Sequence, residues 1–147
     1  MKTVELDEPK RTPVKNENTN TISMPLGLLG FEQVKKYALL ATPEEEPFMW
    51  LQMLEANNQG FVVIQPATVL PNYAPDISPA DIEFLNIQSP ADALILNIAT
   101  VRNGVATVNL KGPIVINRHT LVGKQCIPTN VAEFALQHPV NPVAVAA

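Results

Sequence analysis

The chain has 147 residues and a mass of 16.0 kDa, which fits a single domain. Lys and Arg number 10 against 14 Asp and Glu, so the net charge is -4 and the pI is about 5.1. This balance argues against a broad basic face for nucleic acid, but it is compatible with a basic protein partner.

Three absences narrow the class of protein further. The single cysteine, Cys126, excludes an internal disulfide. No apolar run approaches the roughly 20 residues of a membrane-spanning helix, and the N-terminus lacks the apolar segment of a secretory signal. We therefore expect a cytoplasmic protein without membrane contact, monomeric when no partner is bound.

The two ends of the chain differ from its middle. Residues 1–20 are polar and nearly aperiodic, which predicts a flexible or weakly ordered arm with a short strand over Thr3–Leu6 as one alternative. Residues 21–138 are predicted to form a single domain. Two prolines in residues 139–147 predict an extended or frayed C-terminal tail.

The segment Met24–Glu32 contains two glycines that bracket two leucines, with Phe31 directly after them. Glycine adopts backbone conformations that other residues avoid. Gly27 and Gly30 therefore predict a tight turn that either buries Leu28 and Phe31 or presents them to a partner.

Seven segments have the length and apolar content of strands. They are Tyr37–Ala41, Met49–Leu54, Phe61–Gln65, Leu94–Arg102, Val105–Leu110, Ile114–Asn117 and Lys124–Ile127. Asn103-Gly104 has the composition of a two-residue type I′ turn, so it predicts a hairpin. The pattern predicts a mainly β fold, a small antiparallel β-barrel-like domain with one or two short helices; a sandwich is the alternative.

Two features beside the first strands have both a structural and an interaction interpretation. Glu44, Glu45 and Glu46 are expected to form a solvated turn, with docking of a basic partner as the alternative. Trp50 is expected to share the core with Phe48, whereas an exposed Trp would indicate an interaction hot spot.

Helix signals are few. Ser78 as N-cap, Pro79 at the first helical position and Asp81 as capping-box acid predict a helix that ends at Asn86. Its inward-facing residues are expected to be Ile82, Phe84 and Leu85. Ser89–Asp92 repeats the start signal but predicts a single turn. A third start at Asn130 predicts about two turns that end at Gln137.

The segment Asn109–Asn117 interrupts one strand and begins another. Gly112-Pro113 breaks the ladder after Leu110, and a strongly β-prone strand follows. If Ile114–Ile116 lies at a sheet edge, a partner can be added there by strand pairing. Asn109, Gly112, Pro113 and Asn117 are expected to shape this second loop.

Catalytic and metal-binding templates are missing. The chain has no G-x-S-x-G elbow, P-loop, GxGxxG or HExxH motif. A zinc site would need His119, His138, Cys126 and a carboxylate brought together by the fold, but no pair has a ligand spacing. Cys126 lies in an apolar strand and is expected to be a small buried hydrophobe. We expect neither an enzyme nor a cofactor.

Five segments together resemble the flagellar assembly factor FliW family. They follow its F-x-x-G-[IL]-x-G-F-E, F-x-W-L-Q, F-x-V-x-x-P, N-L-x-[AG]-P-[IL]-V-I-N and G-x-Q-V-I patterns in order. The segments are Met24–Glu32, Phe48–Gln52, Phe61–Pro66, Asn109–Asn117 and Gly123–Ile127. Met24 and Leu29 stand where the family commonly has Phe and Pro.

The resemblance implies a β-barrel-like domain without catalytic activity that binds two proteins in exchange. One is flagellin and the other is CsrA, an RNA-binding translational repressor. When flagellin accumulates it titrates the factor, CsrA is freed and flagellin translation stops; secretion of flagellin reverses this. The family is described as displacing RNA from CsrA without competing for the surface of CsrA that binds RNA.

The resemblance and the residue patterns give two sets of candidate site residues. The partner-binding or loop-shaping set is Gly27, Leu28, Gly30, Phe31, Trp50, Asn109, Gly112, Pro113 and Asn117. The set whose negative charge could repel RNA from a bound CsrA is Glu44, Glu45, Glu46, Asp76, Asp81 and Glu83. The alternative functions are a small-molecule-binding or hydrolytic β-barrel and a structural module that self-associates through the Ile114–Asn117 edge.

Overall fold

Ten strands and one α-helix make up the computed structural model, which describes residues 12–13, 21–55 and 59–140. The strands are β1 (Thr12–Pro13), β2 (Thr21–Ser23), β3 (Lys36–Ala41), β4 (Phe48–Met53), β5 (Gly60–Ile64), β6 (Ala93–Arg102), β7 (Val105–Val108), β8 (Ile114–Asn117), β9 (Gly123–Gln125) and β10 (His138–Pro139). The helix is α1 (Pro79–Leu85). Within the described residues, no helix has the length and apolar character to cross a bilayer.

Short 3-10 helices link several of the strands. They are Pro43–Glu45, Pro66–Thr68, Pro90–Asp92 and Val131–Glu133. Three of the four begin with proline, whose fixed φ suits the first helical position. The prolines thus divide this part of the chain into short elements.

All seven strands predicted from the sequence are present, with ends that differ by no more than two residues. The hairpin at Asn103-Gly104 is confirmed, since both residues have the positive φ of a type I′ turn, 52° and 77°. The alternative strand over Thr3–Leu6 lies outside the described residues, as does most of the predicted N-terminal arm. Within this arm, Thr12 and Pro13 form the short strand β1, which pairs antiparallel with β3.

The helix start is confirmed. The Ser78 hydroxyl oxygen accepts a hydrogen bond from the backbone N–H of Asp81 at 3.1 Å, and Asn86 ends α1 with a φ of 56°. The prediction for Phe84 was wrong, because it is 45% exposed. A seven-residue helix buries one narrow stripe, and Leu85 with Ile82, three residues earlier, occupies it.

The helix predicted to start at Asn130 is shorter than expected. Only Val131–Glu133 is helical, and it is a single 3-10 turn rather than two turns. The chain then extends, and the carbonyl of Ala135 accepts a hydrogen bond from the N–H of Leu110 at 3.0 Å. Tertiary pairing therefore overrides the local helix signal. Further on, β10 pairs with β7, and Val140 is buried.

One sheet contains all ten strands, with the main order β1-β3-β4-β5-β6-β7-β10. Along one edge β6 pairs first with β8 and then with β7. Ala99 of β6 lies opposite Val108 of β7, and Leu96 of β6 lies opposite Ile114 of β8. The two positions on β6 are three residues apart, whereas their partners, Val108 and Ile114, are six residues apart. Three residues therefore loop out between β7 and β8, and this bulge forms the second loop.

The sheet curls strongly but is not closed into a barrel, so the barrel-like prediction needs this correction. The β2 strand reaches the turn before β9 through one hydrogen bond, from Ser23 N to the Leu121 carbonyl at 2.8 Å, and one parallel bridge to Val122. No ladder continues from there. The next residues turn away, and Pro25 has no N–H to donate.

The main core lies on the concave face of the curled sheet. Its members alternate along the strands and include Tyr37, Leu39, Leu51, Met53, Phe61, Val63, Leu96, Ile98, Ile114 and Ile116. The convex face has two smaller clusters. One lies under α1, and the other, around Val108, is covered by Tyr73 and Phe134, whose rings meet edge to face at 4.8 Å.

The interpretation of Ile114–Ile116 as an edge strand was wrong. All four residues of β8 are buried, and the strand pairs with β6 on one side and β9 on the other. Pro113 occupies the position just before a strand, which is a second place where proline is tolerated. Without a free edge, self-association by strand pairing at Ile114–Asn117 loses its structural basis.

Candidate functional site

Two successive turns form the first loop, Met24–Glu32. In the first, Gly27 N donates to the Met24 carbonyl at 2.9 Å; in the second, Phe31 N donates to the Leu28 carbonyl at 2.7 Å. Gly30 has a φ of +87° at the third position of its turn, as a type II turn requires. Gly27 also has a positive φ, and it has no room for a side chain.

The side chains of this loop divide into anchors and exposed groups. Leu28 is buried in the main core, and Phe31 meets Phe61 edge to face at 5.1 Å. Leu26 and Leu29 are 52% and 60% exposed. The structure therefore buries Leu28, packs the half-buried Phe31 against the core, and leaves two leucines, which sequence reasoning did not single out, on the surface.

The Lys35 side chain holds the first loop through hydrogen bonds to two of its carbonyl groups. Its Nζ donates to the Pro25 carbonyl at 3.1 Å and to the Glu32 carbonyl at 2.6 Å. The Glu32 carboxylate accepts a hydrogen bond from the Gly30 N–H, and this bond holds the pKa of Glu32 below its usual value. Lys35 belongs to no motif, so no sequence pattern indicated its role.

In the second loop, residues Asn109–Pro113 are held mainly by side chains that bond to the backbone. The Asn109 side-chain oxygen accepts from Lys111 N at 2.9 Å, as in an Asx turn, and the Asn109 carbonyl accepts from the Asn97 side chain at 2.9 Å. The Tyr73 hydroxyl donates to the Leu110 carbonyl at 2.7 Å. Gly112 and Pro113 are both buried.

Gln125 on β9 joins the two loops. Its side-chain oxygen accepts from Leu29 N at 3.0 Å, and its side-chain nitrogen donates to the Gly112 carbonyl at 3.1 Å. The Cys126 N–H donates to the Pro113 carbonyl at 2.8 Å. The first loop, residues Asn109–Pro113 of the second loop and Gly123–Ile127 thus form one surface, called the seam below. Proline, common in the family at position 29, has no N–H for this bond.

Close packing explains the glycine on β9. A Cβ on Gly123 would lie 2.7 Å from Met24 Sδ and 2.9 Å from Ile116 Cγ1. A Cβ on Gly112 would lie 2.9 Å from the Gln125 side-chain nitrogen. The seam is therefore tightly fitted, and its partners Leu29 and Gln125 are 96 residues apart along the chain.

Two other candidate residues lie away from the seam or inside the fold. The Asn117 side chain donates to the Leu85 and Asn86 carbonyls at 2.8 and 3.1 Å, so it caps the end of α1. Its oxygen accepts from two backbone N–H groups of the following turn. Trp50 is 2% exposed, and its ring N–H donates to the Gln52 side chain at 2.7 Å.

The acidic candidates are in three different environments. Glu44, Glu45 and Glu46 lie on and beside the predicted turn, where the Thr42 hydroxyl bonds to Glu44 and lowers its pKa. Asp76 and Glu83 are exposed, on either side of the start of α1.

Asp81 is the exception among the acidic residues. It is 9% exposed and its carboxylate pairs with Lys124 Nζ at 2.6 Å. The sequence placed it with the charges available for repulsion, but the structure neutralises it within an ion pair.

Among the described residues, the side chains that a zinc site would need do not come together. Burial raises the pKa of the Cys126 thiol to about 12, which keeps it protonated at neutral pH. His119 Nε2 lies 2.9 Å from Asp92 Oδ1; this bond, with the Gln88 and Ser89 N–H groups, holds the pKa of Asp92 below its usual value. Among the described residues, no three His, Cys, Asp or Glu side chains converge as metal ligands would.

The fold and the seam define a class of protein: a small antiparallel β domain that presents a rigid surface of backbone groups and apolar side chains. The FliW protein family model matches residues 5–140. This chain belongs to that family, as its resemblance indicated.

Individual relatives agree. The flagellar assembly factor FliW of Leptospira interrogans serogroup Icterohaemorrhagiae serovar Lai is 39% identical over 127 residues, covering 84% of this chain and 85% of that protein. The Thermotoga neapolitana factor is 36% identical over 115 residues, with 76% of each chain covered. A crystal structure of the flagellar assembly factor FliW matches with a TM-score of 0.76 at 30% identity, covering 91% of this chain and 99% of that one.

Proposed function

We propose that this chain is a non-enzymatic, cytoplasmic flagellar assembly factor that binds a CsrA-type translational regulator and flagellin in exchange. By holding the regulator it antagonises CsrA and allows flagellin translation. The observation that carries the proposal is the seam, in which three of the five family-like segments meet although the first lies far from the other two in sequence. Because the fold brings these segments together, they form one surface that a partner protein can bind.

The seam has the properties of a protein-binding surface. Hydrogen bonds from Gln125 and Lys35 fix its backbone before any partner arrives, which lowers the entropy lost on binding. Leu26 and Leu29 remain on the surface of this rigid loop. Two exposed leucines on a fixed turn provide apolar area whose burial favours association.

The exchange requires linked binding. The factor removes CsrA from RNA only if it binds RNA-free CsrA more tightly than RNA-bound CsrA. Acidic side chains held near the RNA path of a bound regulator raise the free energy of bringing phosphates close. Glu44, Glu45, Glu46 and Glu83 can act in this way because they lie outside the core.

Calorimetric titration tests the partner exchange. The purified chain is titrated with the CsrA-type regulator of the same cell, and the titration is repeated with flagellin present. We expect binding that flagellin suppresses. Binding to flagellin alone would reduce the function to that of a flagellin chaperone, and binding to neither would contradict the proposal.

Paired variants test the seam itself. The double variant Leu26→Ser, Leu29→Ser is expected to weaken binding of at least one partner by about 30-fold, since each lost apolar contact is worth roughly 1 kcal/mol and the two together about 2 kcal/mol. Leu136→Ser is the matched control, because Leu136 is 57% exposed outside the seam. Equal effects of the two changes on both partners would remove the seam from the proposal.

Neutralising the acidic turn separates binding from RNA displacement. With Glu44, Glu45 and Glu46 changed to Gln, we expect the regulator to bind but to release RNA less completely. An RNA-displacement titration by fluorescence anisotropy measures this. Unchanged displacement would reject the repulsion role of these three residues.

A further inference from the structure

A preformed apolar groove of about 390 Å³ lies beside α1 on the convex face of the sheet. Its floor consists of Ala93 and Ile95 from β6 and Val115 from β8. Its walls are the segment before α1 and the C-terminal half of α1 with the residues that follow. Its volume falls within the range of about 300–1,000 Å³ typical of ligand pockets.

The wall before α1 is fixed by hydrogen bonds with the Asn130 side chain and the Thr129 backbone. Asp76 N donates to the Asn130 side-chain oxygen at 2.9 Å, and the Asn130 side-chain nitrogen donates to the Ala74 carbonyl at 3.2 Å. Thr129 N donates to the Asp76 carbonyl at 2.8 Å. These bonds hold the backbone and leave the Asp76 carboxylate exposed at the rim of the groove.

The opposite wall is fixed as well. Ile87 N donates to the Ile82 carbonyl at 3.1 Å, which closes the end of α1. The Asp92 carboxylate accepts from Gln88 N and Ser89 N at 3.0 and 3.1 Å. Both walls therefore stand in place without a ligand, so little ordering accompanies binding.

The chemistry of the lining selects the occupant. Most lining side chains are aliphatic, and the single charge among them is the Asp76 carboxylate. Glu83 is exposed on the helix nearby, and the chain has a net charge of -4. This field opposes nucleic acid and anionic lipid and favours an apolar protein segment that carries a cation.

We propose that the α1 groove binds an aliphatic segment of the CsrA-type regulator and that a Lys or Arg beside this segment pairs with Asp76. The inference rests on the proposed function and assigns one of its two partners to a surface. An RNA-binding regulator must be cationic to neutralise phosphates. Its charge therefore complements this face of the molecule, which gives it preference over flagellin as the occupant.

Two variants and a control test the groove by calorimetry with the purified regulator. Ala93→Leu places a larger aliphatic side chain on the groove floor, and we expect the regulator to bind at least about tenfold more weakly. Asp76→Asn removes the rim charge, and we expect a loss of about three- to tenfold with a smaller salt dependence. Glu83→Gln, an equal charge change that does not line the groove, should stay within about twofold.

The outcomes separate the two proposals. Flagellin titrated against the same variants should bind as it does to the wild type. Unchanged regulator affinity in both Ala93→Leu and Asp76→Asn would overturn the groove assignment, as would a loss of flagellin affinity in place of regulator affinity. Because Asp76 is exposed, its variant keeps the test valid if Ala93→Leu does not fold. A wild-type chain that does not bind the regulator would overturn the proposed function and this inference with it.

Discussion

The two glycines of the first loop are predicted to differ sharply in their tolerance of alanine. Both have positive φ, +69° at Gly27 and +87° at Gly30. A Cβ at Gly27 would lie 2.5 Å from the Glu32 Cα and 2.6 and 2.7 Å from two further backbone atoms of that residue. A Cβ at Gly30 would meet nothing within 4 Å.

These distances set the expected losses in the free energy of unfolding. Gly30→Ala bears only the cost of a left-handed backbone, about 1–2 kcal/mol. Gly27→Ala bears that cost and also a clash with backbone atoms that cannot rotate away, so we expect about 4 kcal/mol or more in total. At roughly 3 °C per kcal/mol, Tm should fall by about 3–6 °C for Gly30→Ala and by more than about 10 °C for Gly27→Ala.

Urea unfolding followed by circular dichroism measures both losses. Leu29→Ala is the matched control, because it changes an exposed side chain between the two glycines and leaves the N–H bond to Gln125 in place. It should cost less than about 0.5 kcal/mol. If Gly27→Ala lost no more free energy of unfolding than Gly30→Ala, the result would refute the geometry of the loop.

Three further predictions concern contacts that only the fold brings together. Gln125→Ala removes two hydrogen bonds and should cost about 1–2 kcal/mol, with faster hydrogen exchange at the Leu29 amide. Asn117→Ala leaves buried carbonyl and N–H groups without their partner and should cost about 3 kcal/mol or more by urea unfolding. Asp92 has a lowered pKa, so its contribution is full above the ordinary value of 3.8 and is lost as the pH falls through the lower folded value. Asp92→Asn should therefore flatten the loss of stability below about pH 4, measured by urea unfolding from pH 7 to pH 2.5.

Each of these predictions has a control or a result that would contradict it. Gln33→Ala changes an exposed glutamine outside the seam and should leave Leu29 exchange unchanged. A loss below about 1 kcal/mol in Asn117→Ala would show that its bonds are replaced by water. If Asp92→Asn lost stability below about pH 4 as steeply as the wild type, the result would contradict the role of the His119 bond.

Local signals in the sequence were sufficient for most of the secondary structure. The Ser78 cap, the Asn103-Gly104 turn and the prolines act over four or fewer residues, so they can be read without the fold. The alternation of apolar residues located the seven strands for the same reason. The five ordered segments gave the family, because each retains side chains that its turn or strand requires.

Only the tertiary structure decided which of these segments meet. Whether β8 is an edge or an interior strand depends on β6 and β9, which no local pattern specifies. Asp81 loses its free charge only because β9 brings Lys124 to it.

The seam exists because one glutamine side chain spans two loops that the curled sheet places side by side. The sequence by itself determined what each short segment can become. The pairing of strands determined what those segments build together, since contacts across 80 or more residues leave no periodic trace in the chain.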